Sequence, residues 1–154
     1  MRGNEQVIAL LNQALKEELT AISQYFIHAE MCENWGYGKL GDAVKKISIS
    51  EMKHAEELIE RILFLEGTPR MAEVLPLKIG QNVKAQLEND LKLEIAAVAM
   101  YNESAKKAAE AADLGSHELF IKLLKDEEGH ADYFETQLSR IQEMGLENYL
   151  TQQM

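Results

Sequence analysis

Apolar residues recur at Val7, Leu11, Ala14, Ile22, Phe26 and Ala29, a 3.6-residue stripe that predicts a helix from residue 5 to about 34. Gly36-Tyr37-Gly38 breaks it. Val44, Ile47, Leu58, Ile62 and Leu65 resume the stripe over about 39–66, and Gly67 followed by Pro69 reads as the stop. A connection of roughly 16 residues (67–82) carries both prolines. Val83, Leu87, Leu91, Val98, Ala105 and Ala108 then mark a third helix to about 112. Asp113-Leu114-Gly115-Ser116 reads as a turn, with Ser116 the N-cap of a fourth helix over about 117–144 that buries Phe120, Leu124, Phe134, Leu138 and Ile141. After Gly145, the residues Leu146, Tyr149 and Leu150 suggest a short fifth helix.

Helices of about 28 residues are each ~40 Å long. Short links inside each pair and one long link between pairs describe an all-α four-helix bundle with a long crossover and a short C-terminal helix. At 154 residues the chain fits one domain, 1–154, large enough to bury a core. Apolar content of 46% and charged content of 27% suit a soluble globular protein. The net charge of −10 argues against nucleic acid or an anionic membrane as partner and is compatible with attracting cations. Cys32 alone cannot build a disulfide framework or a thiolate metal knuckle. No apolar leader and no run of about 20 apolar residues is visible, so a cytoplasmic location is expected.

The helical stripes carry charges where apolar side chains belong. Glu51 and His54 recur as Glu127 and His130, an offset of 76 in both cases (127 − 51 and 130 − 54). The same offset links Glu18 to Glu94 and Tyr25 to Tyr101. Glu at i and His at i+3 share a helix face, so each Glu-x-x-His offers two convergent metal ligands. One such motif means little in a Glu-rich chain; two, each with a further Glu at a matched position upstream, describe a duplicated site. Four buried carboxylates would repel one another and force protonation unless cations neutralise them. Two divalent ions supply the four positive charges required. Imidazole with carboxylate points to iron or manganese before a thiolate-loving metal, and spacing alone does not separate those two. One Glu from each of two helices, with a Glu-x-x-His from each of the others, is the ligand pattern already described for ferritin-like di-metal bundles. Tyr25, about two turns beyond Glu18, is either a hydroxyl donor to a liganding carboxylate or a core aromatic with a satisfied hydroxyl. The symmetry of the repeat suggests that Tyr101 donates to Glu18. Met52 is turned ~100° from Glu51, off the bundle core, where spacing alone makes it an interface or gap-filling residue. His28 and His117 have no repeat partner and read as ordinary surface or interface histidines.

The chain resembles the bacterioferritins over essentially all its length. The resemblance is carried by Asn12 to Tyr25, Trp35-Gly36, Glu51-Met52-Lys53-His54-Ala55, Arg61 to Gly67, Asp126-Glu127-Glu128-Gly129-His130 and Gly145 to Leu150. Non-haem ferritins usually lack two matched Glu-x-x-His motifs. The resemblance implies a 24-chain shell, built from two-fold dimers, that oxidises Fe(II) and stores a ferric mineral. It places the ligands of two iron ions per subunit on Glu18, Glu51, His54, Glu94, Glu127 and His130. Glu51 and Glu127 would bridge the two ions. It also implies haem b shared between two subunits, with Met52 as axial ligand from each. Asn34, Glu66, Asp132 and Thr136 match a polar channel lining. The shell is a homo-oligomer or one mixed with a sister subunit, a choice the sequence leaves open, and a ferredoxin reductant for iron release is a further family expectation. A histidine and an aspartate that many members carry before Glu51 are here Lys46 and Ser50, which puts an inner-surface iron site in doubt. Two other functions compete: a rubrerythrin-like peroxidase, which one cysteine cannot equip with its usual iron module, and a haem-binding shell whose dinuclear site is vestigial.

Overall fold

The computed structural model describes residues 1–154 and contains five helices. They are α1 (Glu5–Asn34), α2 (Gly38–Phe64), α3 (Val83–Glu110), α4 (Leu114–Met144) and α5 (Leu146–Thr151). The first four form the expected bundle, with α1 packed on α2 and α3 on α4. No helix is long and apolar enough to cross a membrane. The backbone N–H of Gly3 donates to Leu65 O, so the start of α1 lies at the end of α2 and the pair is antiparallel. Advancing seven residues along α1, from Glu18 to Tyr25, moves the partner back seven residues along α3, from Tyr101 to Glu94, so α3 is antiparallel to α1 as well.

The crossover of residues 65–82 is held by a ladder of buried polar side chains along α1. Asn12 accepts from Arg70 N and donates to Thr68 O. Thr20 accepts from Leu75 N, Gln24 from Lys78 N and His28 Nε2 from Gly80 N. The partners advance together, 12 to 28 on the helix and 68 to 80 on the strap, so the connection runs along α1 and delivers the chain to the far end, where α3 begins. A strap without secondary structure must satisfy its backbone groups elsewhere, and these four side chains do so. His28 is therefore fully buried, not a surface histidine: its Nδ1 donates to Asp90 Oδ1 at 2.8 Å while its Nε2 accepts from the strap. His117, half-buried, bonds Ala105 O.

Several helix ends differ from expectation. The fourth helix starts at Leu114, and its cap is Asp113, whose carboxylate accepts from Ser116 N at 2.9 Å; Ser116 is buried inside the helix and is not the cap. The second ends at Phe64, and the left-handed residue that closes it is Glu66 (φ 63°), not Gly67. Gly67 is required for another reason: a Cβ there would stand 2.7 Å from Ile8 Cγ2 on α1. Gly36 and Ala112 close α1 and α3 through the same paired turn bonds, and Glu66 and Ala112 each bear a left-handed cost on the order of 1 kcal/mol. Phe26, placed by periodicity on the buried stripe, is exposed, and Leu124 and Leu138 are only half-buried.

The apolar interior is divided in two. One cluster gathers Leu11, Leu15, Leu58, Ile62, Tyr101, Phe120 and their neighbours. The other gathers Tyr25, Leu40, Val44, Leu87, Phe134 and Tyr149. Tyr149 anchors α5 by donating to Gln137 Oε1 at 2.8 Å. Between the two clusters, at mid-bundle, lie the acidic residues.

Candidate metal centre

Each helix of the bundle delivers its part at mid-length: α1 gives Glu18, α2 gives Glu51 and His54, α3 gives Glu94, and α4 gives Glu127 and His130. The structure brings all six together. Their donor atoms fall into two overlapping groups, Glu18/Glu51/His54/Glu127 and Glu51/Glu94/Glu127/His130, each with every ligand atom within 4.8 Å of the others. Glu51 and Glu127 belong to both groups, so the pattern of two shared and two private carboxylates follows from geometry. His54 Nδ1 lies 2.9 Å from Glu127, 3.2 Å from Glu51 and 3.5 Å from Glu18. His130 Nδ1 lies 3.1 Å from Glu51 and 3.5 Å from both Glu94 and Glu127. The two rings are 6.0 Å apart and inclined by 22°.

The tyrosines hold the outer carboxylates. Tyr25 Oη donates to Glu94 Oε1 and Tyr101 Oη to Glu18 Oε1, both at 2.6 Å. Each thereby fixes one oxygen and leaves the other free. Glu18 Oε2, Glu51 Oε1, Glu94 Oε2, Glu127 Oε2 and His130 Nδ1 are all buried without a hydrogen-bond partner. Orphaned acceptors in such numbers are costly unless something electropositive faces them. Divalent cations answer that need: they take carboxylate oxygen and imidazole nitrogen, and two of them cancel the four negative charges. The donor set therefore fits a pair of iron ions.

Protonation shows the same strain. Burial, then repulsion from neighbouring carboxylates, pushes Glu18 and Glu94 well above the usual carboxylate range. Burial disfavours a charged ring at His130, but the Glu127, Glu51 and Glu94 carboxylates close to Nδ1 outweigh it and push the ring up to about 12. His54 is raised likewise, against its own burial, chiefly by its hydrogen bond with Glu127 and by the Glu18 and Glu51 carboxylates beside it. Burial alone would raise Glu127, yet its hydrogen bonds with the surrounding groups hold it below the ordinary range.

Two further residues lie beside the centre without a signal in the repeat. Asp126 Oδ2 pairs with His54 Nε2 at 2.9 Å. It directly precedes Glu127, but the repeat gives it no counterpart, because position 50 is serine. Glu17, half-buried with an unpartnered Oε2, lines a narrow cleft between α1 and α3 together with Leu93. Met52 stands on the outer face of α2, 55% exposed, with Ile49 exposed one turn before it. An exposed thioether is a soft donor atom. Asn34, Glu66 and Asp132 are exposed and Thr136 half-buried; Asn34 and Glu66 lie at opposite ends of α2, so one chain alone does not assemble the four. Lys46 is exposed and Ser50 half-buried.

A ferritin-like domain family matches residues 8–144. The bacterioferritin of Brucella melitensis is 48% identical over 149 residues, which span 97% of this chain and 92% of the relative. That of Rhodobacter capsulatus is 44% identical over the same spans. That of Mycolicibacterium paratuberculosis is 40% identical over 152 residues, covering 99% of this chain and 96% of the relative.

Proposed function

The chain belongs to the bacterioferritins, an iron-storage family of ferritin-like proteins, and from that premise we propose that it is a ferroxidase, oxidising Fe(II) at the paired Glu–His cluster and storing it as ferric mineral inside a shell of 24 copies. The observation that carries this is the set of buried, unpaired donor atoms in two overlapping groups. Fe(II) is the substrate. Glu18 and His54 would complete one position, Glu94 and His130 the other, with Glu51 and Glu127 bridging. Two Fe(II) ions side by side each lose one electron; two electrons and two protons convert O2 to hydrogen peroxide, or hydrogen peroxide to two waters. The chain contributes the geometry: Tyr25 and Tyr101 hold the private carboxylates in orientation, and burial excludes bulk water. Exposed apolar side chains on α1, α2 and the strap, among them Phe26, Ile27, Leu63, Phe64 and Val74, support packing between copies.

Zn(II), which has no redox chemistry, tests the site directly. With His54 and His130 raised, both rings are charged at pH 7 in metal-free protein, and coordination requires the neutral ring. Loading two Zn(II) per chain therefore releases about two protons or more per chain, followed with a pH indicator in weak buffer. The loaded protein then oxidises Fe(II) no faster than buffer does. Zinc uptake without proton release, or full activity after loading, contradicts the assignment.

The same proposal gives Met52 to haem b, one thioether from each of two copies, supplying a one-electron redox centre when bound. Met52→Leu is expected to abolish the Soret band of haem-reconstituted protein while the oligomer stays intact, because an exposed side chain of similar size is exchanged. An unchanged band would remove Met52 from the site. A cytoplasmic location and a small ferredoxin donor for iron release complete the proposal.

A further inference from the structure

The two halves of the centre are not equivalent, and the difference lies outside the six ligands. His54 is engaged at both nitrogens: Nδ1 faces Glu127 at 2.9 Å, and Nε2 pairs with Asp126 Oδ2 at 2.9 Å. His130 Nδ1 approaches Glu51 at 3.1 Å without a well-formed hydrogen bond, no side chain pairs with its Nε2, and its side chain is 14% exposed against 4% for His54. The repeat explains the contrast. Asp126 immediately precedes Glu127, and the residue 76 positions earlier, immediately preceding Glu51, is Ser50. Ser50 makes no side-chain hydrogen bond to His130. One imidazole thus has a carboxylate behind it and the other has none. A carboxylate accepting from the distal N–H fixes the ring's tautomer and orientation and makes the ligating nitrogen more basic, and loss of such a partner typically weakens metal binding about 10–100-fold.

We propose that Asp126 is a positioning residue for His54, and that the Asp126/Ser50 asymmetry makes the two metal positions unequal, the Glu18–His54 position being filled first and held more tightly than the Glu94–His130 position. The inference rests on the dinuclear assignment above. An ordered filling would seat one ion firmly while the second, at the ring free of its backing bond, exchanges.

Co(II) titration of the metal-free assembled protein tests this, read from its visible absorption rather than from activity. The wild-type chain is expected to bind two Co(II) in two resolved steps. D126A weakens the tight step about 10–100-fold and leaves the weak step in place, which also serves as the folding control. D126N, which keeps an acceptor without the charge, recovers part of the loss. S50D, placing a carboxylate at the counterpart position, strengthens the weak step. Equal affinities in the wild-type chain, a tight step untouched by D126A, or an S50D protein with an unmoved weak step overturns the proposal. Fewer than two Co(II) per wild-type chain would instead overturn the dinuclear centre itself, so the two failures are told apart.

Discussion

Glu94→Ala protein is expected to lose the fast phase of aerobic Fe(II) oxidation altogether, leaving the rate of Fe(II) in buffer. Glu94 is the only carboxylate private to the His130 position, because Glu51 and Glu127 are shared with the other half. Its Oε1 is held by Tyr25 and its Oε2 is one of the free donors. Without it, that position keeps one imidazole and two carboxylates already claimed by the neighbouring ion, and the cluster no longer balances two divalent charges. The fold is expected to survive. Removing a buried carboxyl relieves a desolvation cost, while the hydroxyl of Tyr25 loses its short bond and keeps only the longer one to Asp90 O at 3.4 Å, a cost of about 1 kcal/mol, so the two changes largely offset. Stopped-flow ferric absorbance measures the rate. Glu103→Ala, an exposed position on the same helix, supplies the control and should leave the rate unchanged. A fast phase surviving in Glu94→Ala would dissociate the cluster from the reaction.

The largest effect on stability is expected at Asp90→Ala, outside the metal centre. Asp90 is buried and accepts from Gln24 Nε2 at 2.9 Å and His28 Nδ1 at 2.8 Å, and both donors also hold the crossover strap through Lys78 and Gly80. Alanine leaves two buried donors unpaired. At about 1–3 kcal/mol for each, the loss is roughly 2–6 kcal/mol, a large share of the stability of a domain this size. The strap also loses its fixed partners, since a His28 ring without Asp90 is free to turn away from Gly80. Hydrogen–deuterium exchange over residues 75–80 should rise before the rest of the chain opens, and thermal unfolding should shift down. Unchanged protection there would mean that packing, not the polar ladder, secures the strap.

Much of this architecture can be read from the chain because two periodicities are superposed. The 3.6-residue stripe sets the helices and the 76-residue repeat sets the centre; charges at stripe positions need a reason, and the repeat supplies one. What was not legible depends on contacts with no local signature. Asn12, Thr20, Gln24 and His28 look like surface residues until an irregular strap with unpaired backbone groups is laid against them. Glu66 and Ala112 take the left-handed closing positions without residue-type preference, while the adjacent Gly67 attracts the assignment by its identity and in fact serves the close packing on Ile8. Phe26 obeys the stripe yet faces outward, as a residue can when one surface of the bundle is itself made for contact. Asp126 breaks the repeat, so a search guided by the repeat passes over it.

The central claim is that the six side chains form one centre for two iron ions. Its most direct test is a stepwise aerobic titration of metal-free protein with Fe(II), following near-ultraviolet ferric absorbance. A break at two irons per chain, then slower growth of absorbance as mineral accumulates, is the expected result. A smooth curve without a break, at the rate of Fe(II) in buffer, would contradict it and leave the buried Glu–His cluster a structural element of the bundle.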